Sequence, residues 1–292
     1  MRAARDGRAA LARETLAIVD AGRYVAPDGR PVDIGDAVRA CVASTYLVLP
    51  EAREALAARV AAIGAFDADV AVELTAETTL AAARRLAGRG FACVGVLNFA
   101  SARHPGGGFL GGSQAQEESL ARSSALHASL TSPAAEPYYT HHRAERSLLY
   151  TDRVVVSPAC PVVRDDDGTL LAEPHEPTFL TCAAPNAGAI QANQPESLAR
   201  LPEVFARRMD GVLAAAVDAG CDALVLGAWG CGVFRNDPAL VAALFRAWLA
   251  GGGPYARRFR HVCFAVFESS ADKPCLKAFE RAFGGPKSAP FE

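Results

Sequence analysis

Two adjacent carboxylates, Glu117 and Glu118, follow a run of glycines in the segment His104-Pro105-Gly106-Gly107-Gly108-Phe109-Leu110-Gly111-Gly112-Ser113-Gln114-Ala115-Gln116. Residues without Cβ let backbone N–H groups approach a diphosphate closely, and a helix N-terminus adds partial positive charge. Carboxylates beside such a cradle supply an acid or a base for chemistry on a phosphate-bearing ligand. Ser113 and Gln116 stand at capping-box spacing, which predicts a helix starting directly after the glycines with both glutamates in its first turns. Adjacent helical residues point about 100° apart, so the two carboxylates need not share a role although both can border one cavity. The plainer reading is that acidic side chains suit the start of a helix and that Glu118 pairs with Arg122 one turn later.

Such residues act only if a rigid frame holds them, and the frame is legible as periodicity. Val70, Val72 and Leu74 alternate as in a strand, and a nearly continuous apolar run from Ala92 to Phe99 leads into the glycine segment. Further strands are predicted at 154–156, 178–183, 223–226 and 262–267, with helices around 80–83, 114–130, 197–219, 238–250 and 272–283. Strands and helices in alternation, with strands apolar throughout, predict an α/β fold in which helices cover both faces of one sheet. Ligands gather at strand C-termini in such folds. A second glycine-rich segment, Gly227-Ala228-Trp229-Gly230-Cys231-Gly232-Val233-Phe234, follows the strand at 223–226, so two loops at one sheet edge can clasp one ligand. Residues 1–66 show helical spacing at 7–19, 36–43 and 51–63 and are expected to form an N-terminal helical extension to a domain of residues 67–292.

The 292 residues are 51% hydrophobic, enough for a substantial core, and a net charge of −2 lacks the basic excess needed to grip long nucleic acid. Arg207-Arg208 and Arg257-Arg258 with Arg260 are expected on solvated faces. No run of about eighteen apolar residues could cross a membrane, and the N-terminal residues interleave charge with alanine, which gives cytoplasmic residence by default. The eight cysteines contain no Cys-x-x-Cys pair and are expected to be mostly buried free thiols. His141-His142 lies in a stretch, Tyr138 to Arg143, expected to be a loop at the surface or at a ligand rim, without a second ligand set for zinc. Asp165-Asp166-Asp167-Gly168 lacks calcium-loop spacing and is expected at a hairpin tip. Gly106-x-Gly108-x-x-Gly111 formally matches a dinucleotide fingerprint. His104-Pro105 disrupts the tight turn, however, and no acidic residue ends a second strand about twenty residues on, which argues against hydride transfer.

Taken whole, three glycines, a spacer and Gln116-Glu117-Glu118 resemble the signature of poly(ADP-ribose) glycohydrolases. Leu97-Asn98-Phe99-Ala100 before it is similar to the same family, and Gly227 to Phe234 to the second phosphate loop of macrodomains. Tyr150-Thr151-Asp152, Ser157-Pro158 through Arg164, and Ala184 to Gly188 resemble segments of the compact bacterial branch, so the likeness spans roughly residues 70–270 in order. The resemblance implies a three-layer α/β/α macrodomain-like mixed sheet, an ADP-ribose site at its edge, and hydrolysis of the ribose–ribose bond in poly(ADP-ribose) without metal or cofactor. By position it makes Glu118 the catalytic acid/base and Glu117 its neighbour that holds ribose hydroxyls. Substrate binding is then expected from Asn98, Gly106, Gly107, Gly108 and Gln116, and from Gly230, Cys231, Gly232, Val233 and Phe234. Phe267 is expected to stack on adenine and Glu73, by the first strand, to meet the adenine amino group. The implied partners are ADP-ribose, its polymer and poly-ADP-ribosylated proteins, with no membrane and no sequence-specific nucleic acid. The competing readings are a noncatalytic ADP-ribose reader and a hydrolase of single ADP-ribose units on the same fold.

Overall fold

The computed structural model describes residues 2–284. The chain opens with α1 (Arg2–Ala21), a hairpin of β1 (Arg23–Val25) and β2 (Pro31–Asp33), α2 (Gly35–Ser44), β3 (Tyr46–Val48) and α3 (Arg53–Ala62). Then come β4 (Ala71–Thr75), α4 (Thr79–Ala87), β5 (Val94–Phe99), α5 (Gln116–Ser123), α6 (Leu126–Leu130), α7 (Glu136–Ala144) and β6 (Val154–Ser157). A hairpin of β7 (Val162–Arg164) and β8 (Leu170–His175) precedes β9 (Thr178–Cys182), α8 (Ala187–Asn193), α9 (Leu201–Asp218), β10 (Ala223–Leu226), α10 (Pro238–Leu249), β11 (His261–Ala265) and α11 (Pro274–Phe283).

Seven strands form one sheet in the order β3-β6-β9-β5-β10-β11-β4. From β9 to β4 the neighbours run parallel, and β6 lies antiparallel between β3 and β9, so the sheet is mixed. Side chains alternate faces along a strand, and both faces here are covered. Leu224, Leu226, Val262 and Phe264 pack with Val212 of α9, Phe245 of α10 and Phe279 of α11. Ala223, Val225, Cys263 and Ala265 pack on the other side with Val38 of α2, Leu80 of α4, Leu126 of α6 and Tyr138 of α7. The central strands are therefore buried on both faces and largely apolar, with Asn98, Thr178 and Thr181 as buried polar exceptions, and the architecture is three-layered α/β/α. The C-terminal ends of β5, β9, β10 and β11 meet at one edge of the sheet, where both glycine-rich loops emerge.

Several expectations change. Residues 1–66 carry the three expected helices and also three short strands, of which β3 joins the main sheet by pairing with β6. The helix expected at 114–130 breaks at Ser124, which is extended, with φ −147° and ψ 174°. Its hydroxyl donates to Leu120 O at 2.7 Å and accepts from Leu126 N–H at 3.2 Å, offering the backbone an alternative to the helical ladder. The stretch Tyr138 to Arg143, expected as a loop, lies in α7. His142 is buried there, between Tyr138 O at 2.8 Å on Nδ1 and Thr151 N–H at 3.1 Å on Nε2. Burial pushes its imidazole down to about 4, so it is a neutral structural group. Arg208, expected on a solvated face, is also buried: it donates to the carbonyls of Ala183 and Leu149 at 2.8 and 2.9 Å and pairs with Asp152 at 3.1 Å. The acidic turn does sit between β7 and β8, with Asp165 N–H bonded to Thr169 O at 2.9 Å. Among the described residues no helix is long and apolar enough to cross a membrane.

Candidate active site

β5 ends in Asn98 and Phe99, and the chain then crosses the sheet edge through the glycine loop before entering α5. The start of α5 is set by Gln116, though not as a capping box: the residue before the helix is Ala115 and no side chain caps it. Gln116 Oε1 instead accepts from Phe99 N–H at 2.9 Å, and Nε2 donates to Leu97 O at 2.8 Å and Thr79 Oγ1 at 3.2 Å. Its amide thus continues the hydrogen-bonding of β5 and latches the helix to the strand, so Gln116 supports the site from behind. Arg122 makes no ion pair with Glu118; it donates to Ser113 O at 2.8 Å and to Ser119 Oγ at 3.1 Å, bracing the loop where it enters the helix.

The two glutamates have opposite surroundings. Glu117 is buried; its Oε2 accepts from Ser101 N–H at 2.6 Å and its Oε1 from Asn98 Nδ2 at 3.3 Å. Burial pushes its carboxyl up to about 8, against the Ser101 and Asn98 donors that favour the ionised form, and the neighbouring charge of Glu118 adds to the rise. Asn98 is oriented by Thr181 Oγ1 at 3.1 Å, and its buried Oδ1 has no partner. Glu118 is half-buried, and Gly108 N–H donates to its Oε1 at 3.0 Å. The glycines are required by that approach. Gly107 has φ +61°, and a Cβ on it would lie 2.5 Å from Glu118 Oε1 and 3.2 Å from Glu117 Oε2. The N–H groups of Gly107 and Gly108 are already taken, by His104 O at 2.9 Å and by Glu118, so these glycines serve the carboxylates more than a free anion.

Free donors lie on the second loop. The N–H groups of Gly230, Gly232, Val233 and Phe234 have no partner among the described hydrogen bonds, whereas Cys231 N–H is bonded to Ala228 O at 3.1 Å. Asn236, which the motif reading missed, staples this loop: its Nδ2 donates to Pro185 O at 2.8 Å and Gly230 O at 2.9 Å. It directly precedes the Asp237-Pro238 helix start, the one sequence signal that marks the exit of the loop. Trp229 anchors the loop from below through Nε1 to Cys182 O at 3.2 Å. Phe234 is half-buried with its ring 6.2 Å from that of Tyr150. Val233, in the loop after β10, and Phe267, two residues past the end of neighbouring β11, are apolar side chains 81% and 65% exposed.

Glu73 is not brought to this cluster. It lies on β4, three strands from β5, and its carboxylate is bonded to His261 Nε2 at 2.9 Å and Arg85 at 3.1 Å. His261 begins β11, so the contact is at the end of the sheet away from the loops. What sequence reading also missed is the role of α1. Arg5 Nε donates to Gly111 O at 2.7 Å, Arg8 Nε to Gly112 O at 2.9 Å, and Thr15 Oγ1 to Arg122 O at 2.6 Å. Ala12 packs with Phe109 and Ala121. The i, i+3 spacing of Arg5, Arg8 and the Leu11-Ala12 pair shows one face in the sequence, but not what that face meets.

Residues 12–165 match the family model for the microbial-type poly(ADP-ribose) glycohydrolase (PARG) catalytic domain. The structure is similar to poly(ADP-ribose) glycohydrolase from Thermomonospora curvata bound to the inhibitor ADP-HPD, at 48% identity over 95% of this chain and 100% of that one, with a TM-score of 0.87. A second crystal structure of the Thermomonospora curvata enzyme gives 49% identity over the same shares and a TM-score of 0.88. The Deinococcus radiodurans poly(ADP-ribose) glycohydrolase in complex with ADP-ribose is 46% identical over 84% of this chain and 96% of that one, with a TM-score of 0.78. No curated protein matches the chain. With the Gly-Gly-Gly loop folded onto its paired glutamates and likeness along nearly the whole length, the chain belongs to the microbial-type poly(ADP-ribose) glycohydrolases, glycosidases that hydrolyse poly(ADP-ribose).

Proposed function

We propose that Glu118 is the general acid/base of this glycohydrolase and that Glu117 holds and orients the ribose beside it. The observation that carries the assignment is the contrast between the two carboxyls: Glu118 is half-buried at the mouth of the loop with one oxygen fixed by Gly108 N–H at 3.0 Å, while Glu117 is buried behind it. Cleavage of a ribose–ribose acetal passes through an oxocarbenium-like state, so the departing hydroxyl needs a proton and the ring cation needs negative charge nearby. Glu118 delivers that proton to the leaving oxygen and, as a carboxylate, then takes one from the attacking water. The diphosphate of a bound ADP-ribose unit, received by the unpaired N–H groups of Gly230, Gly232, Val233 and Phe234, brings its charge toward the ribose. Asn98 Oδ1, buried without a partner, is the acceptor for a ribose hydroxyl. Phe234 packs against the distal ribose, and Phe267 offers an exposed ring for adenine.

The substrate of this reading is the polymer carried on poly-ADP-ribosylated proteins. Purified protein incubated with labelled poly(ADP-ribose) and resolved by chromatography is expected to release free ADP-ribose. Retention of uncleaved polymer would point to a reader, and removal confined to singly modified protein would point to a mono-ADP-ribose hydrolase.

A further inference from the structure

The sheet end opposite the glutamates holds a second pair of reactive groups. Cys93 stands immediately before β5 and Cys221 two residues before β10, and these strands pair in parallel with Val94 opposite Ala223. By that register Cys93 faces Asp222 and Cys221 lies one residue further along, so a strand spacing of about 4.8 Å with an axial offset of about 3.3 Å separates the two Cα atoms by roughly 5.8 Å, within the roughly 4.4–6.8 Å that a disulfide spans. Here the two Sγ atoms are 3.3 Å apart. Asp222 fixes the chains relative to each other: its carboxylate accepts from the N–H groups of Ala92 and Cys93 at 3.1 and 3.0 Å, and its own N–H donates to Cys93 O at 3.1 Å. Gly95 leaves the room the pair occupies, since a Cβ there would lie 3.0 Å from Cys221 Sγ.

The thiols differ in access and in acidity. Cys93 is half-buried and Cys221 buried, and both are free. The Cys221 thiol and Thr178 Oγ1, 3.4 Å away, donate to the Cys93 sulfur and lower it to about 7 despite partial burial. The other neighbouring cysteines lack this combination. Cys41 and Cys160 are both buried away from solvent, and Cys231 is pushed far up by Cys275 beside it and by burial.

We propose that Cys93 and Cys221 form a peroxide-reactive dithiol, with Cys93 the attacking sulfur and Cys221 the resolving one. The Cys93 thiolate attacks the O–O bond of hydrogen peroxide; an S–O bond forms, the O–O bond breaks, hydroxide leaves, and the sulfur is oxidised by two electrons to a sulfenic acid. Cys221 then loses its proton and attacks that sulfur; the S–S bond forms, the S–O bond breaks, and the departing hydroxide takes the proton. Two thiols and one peroxide become one disulfide and two waters. The pair sits a full strand away from the catalytic loop, since β5 spans six residues at about 3.3 Å each. Polymer hydrolysis therefore reads separately from this chemistry.

The test treats the reduced full-length protein with a small excess of hydrogen peroxide, blocks remaining thiols with iodoacetamide, and maps peptides by mass spectrometry. The expected result is a linked Cys93–Cys221 peptide, loss of two of the eight thiols, a mass lower by about 2 Da, and reversal by dithiothreitol, with polymer cleavage retained. Cys221→Ser is expected to stop at a sulfenic acid on Cys93 that dimedone traps. Alkylated Cys93 and Cys221 after peroxide treatment would overturn the proposal, as would a different linked pair or unlinked sulfinic acid on Cys93. The wild-type map needs no variant, so it decides the matter even if Cys221→Ser does not fold.

Discussion

Two chemically identical side chains, adjacent in sequence, are placed in opposite surroundings. Glu117 is buried among donors and raised from 4.5 to about 8 chiefly by that burial. The unfolded chain releases this proton near 4.5 and the folded protein holds it to about 8, so the contribution of Glu117 to stability is fully present below pH 4.5 and is lost as pH rises through 8. Thermal unfolding of wild type and Glu117→Gln from pH 5 to 9 should show a gap that widens in favour of the Gln variant and levels off above pH 8. Parallel melting curves across that range would contradict the buried, protonated carboxyl. The glycine that covers the pair is equally specific. Ala at Gly107 would adopt a left-handed φ of +61° and place its Cβ 2.5 Å from Glu118 Oε1, so Gly107→Ala is expected to cost about a hundredfold or more in kcat while the protein still folds. Steady-state kinetics beside a melting curve checks it, and unchanged kcat would show that the loop yields. The residue types of this cluster were legible in the string Gln116-Glu117-Glu118. Which glutamate is buried was not, because that depends on Ser101 and Asn98 folding over it.

Helix α5 is held to β5 by Gln116 and Glu117, while α1 grips both α5 and the loop before it, and these attachments set that loop. Gln116 satisfies Phe99 N–H and Leu97 O together. Gln116→Ala leaves both without that partner and is expected to destabilise the protein by about 2–4 kcal/mol, measurable by urea denaturation; a loss under about 0.5 kcal/mol would mean the latch is dispensable. On the outer face, Arg8 holds Gly112 O at 2.9 Å while Gly112, at φ +73°, leaves no space for a Cβ against the Arg5 backbone. Arg8→Ala should lower kcat by roughly an order of magnitude with little change in KM, and Arg8→Lys should recover part of it, because the loop is loosened and the substrate contacts remain. An equal fall in melting temperature and kcat for both variants would assign Arg8 to folding alone. These attachments explain what sequence periodicity could and could not show. The long strands and helices announced themselves by apolar spacing. β3 has three residues, too few for a period, and α1 displays a face whose target lies 104 residues away in sequence.

At the scale of the whole molecule, topology brings distant segments to one edge. β5 and β10 are neighbours in the sheet although their loops are more than 110 residues apart in sequence, and their shared direction sends both loops to the same side. One loop then leads into the helix turn that carries the carboxylates and the other offers free N–H groups, a difference that the sequence left open because both segments are glycine-rich. The same topology leaves Glu73 three strands away, tied to His261 and Arg85. Alternation of apolar strands and helices was enough to foresee the covered sheet and the edge where the site forms; the exact hydrogen-bond partners required the fold. The most direct test of the account is Glu118→Gln, an isosteric change that keeps the oxygen accepting Gly108 N–H and removes only the proton transfer. The variant should bind ADP-ribose within a few-fold of wild type by calorimetry and cleave poly(ADP-ribose) slower by several orders of magnitude. Cleavage at the wild-type rate would remove Glu118 from the chemistry and contradict the mechanism.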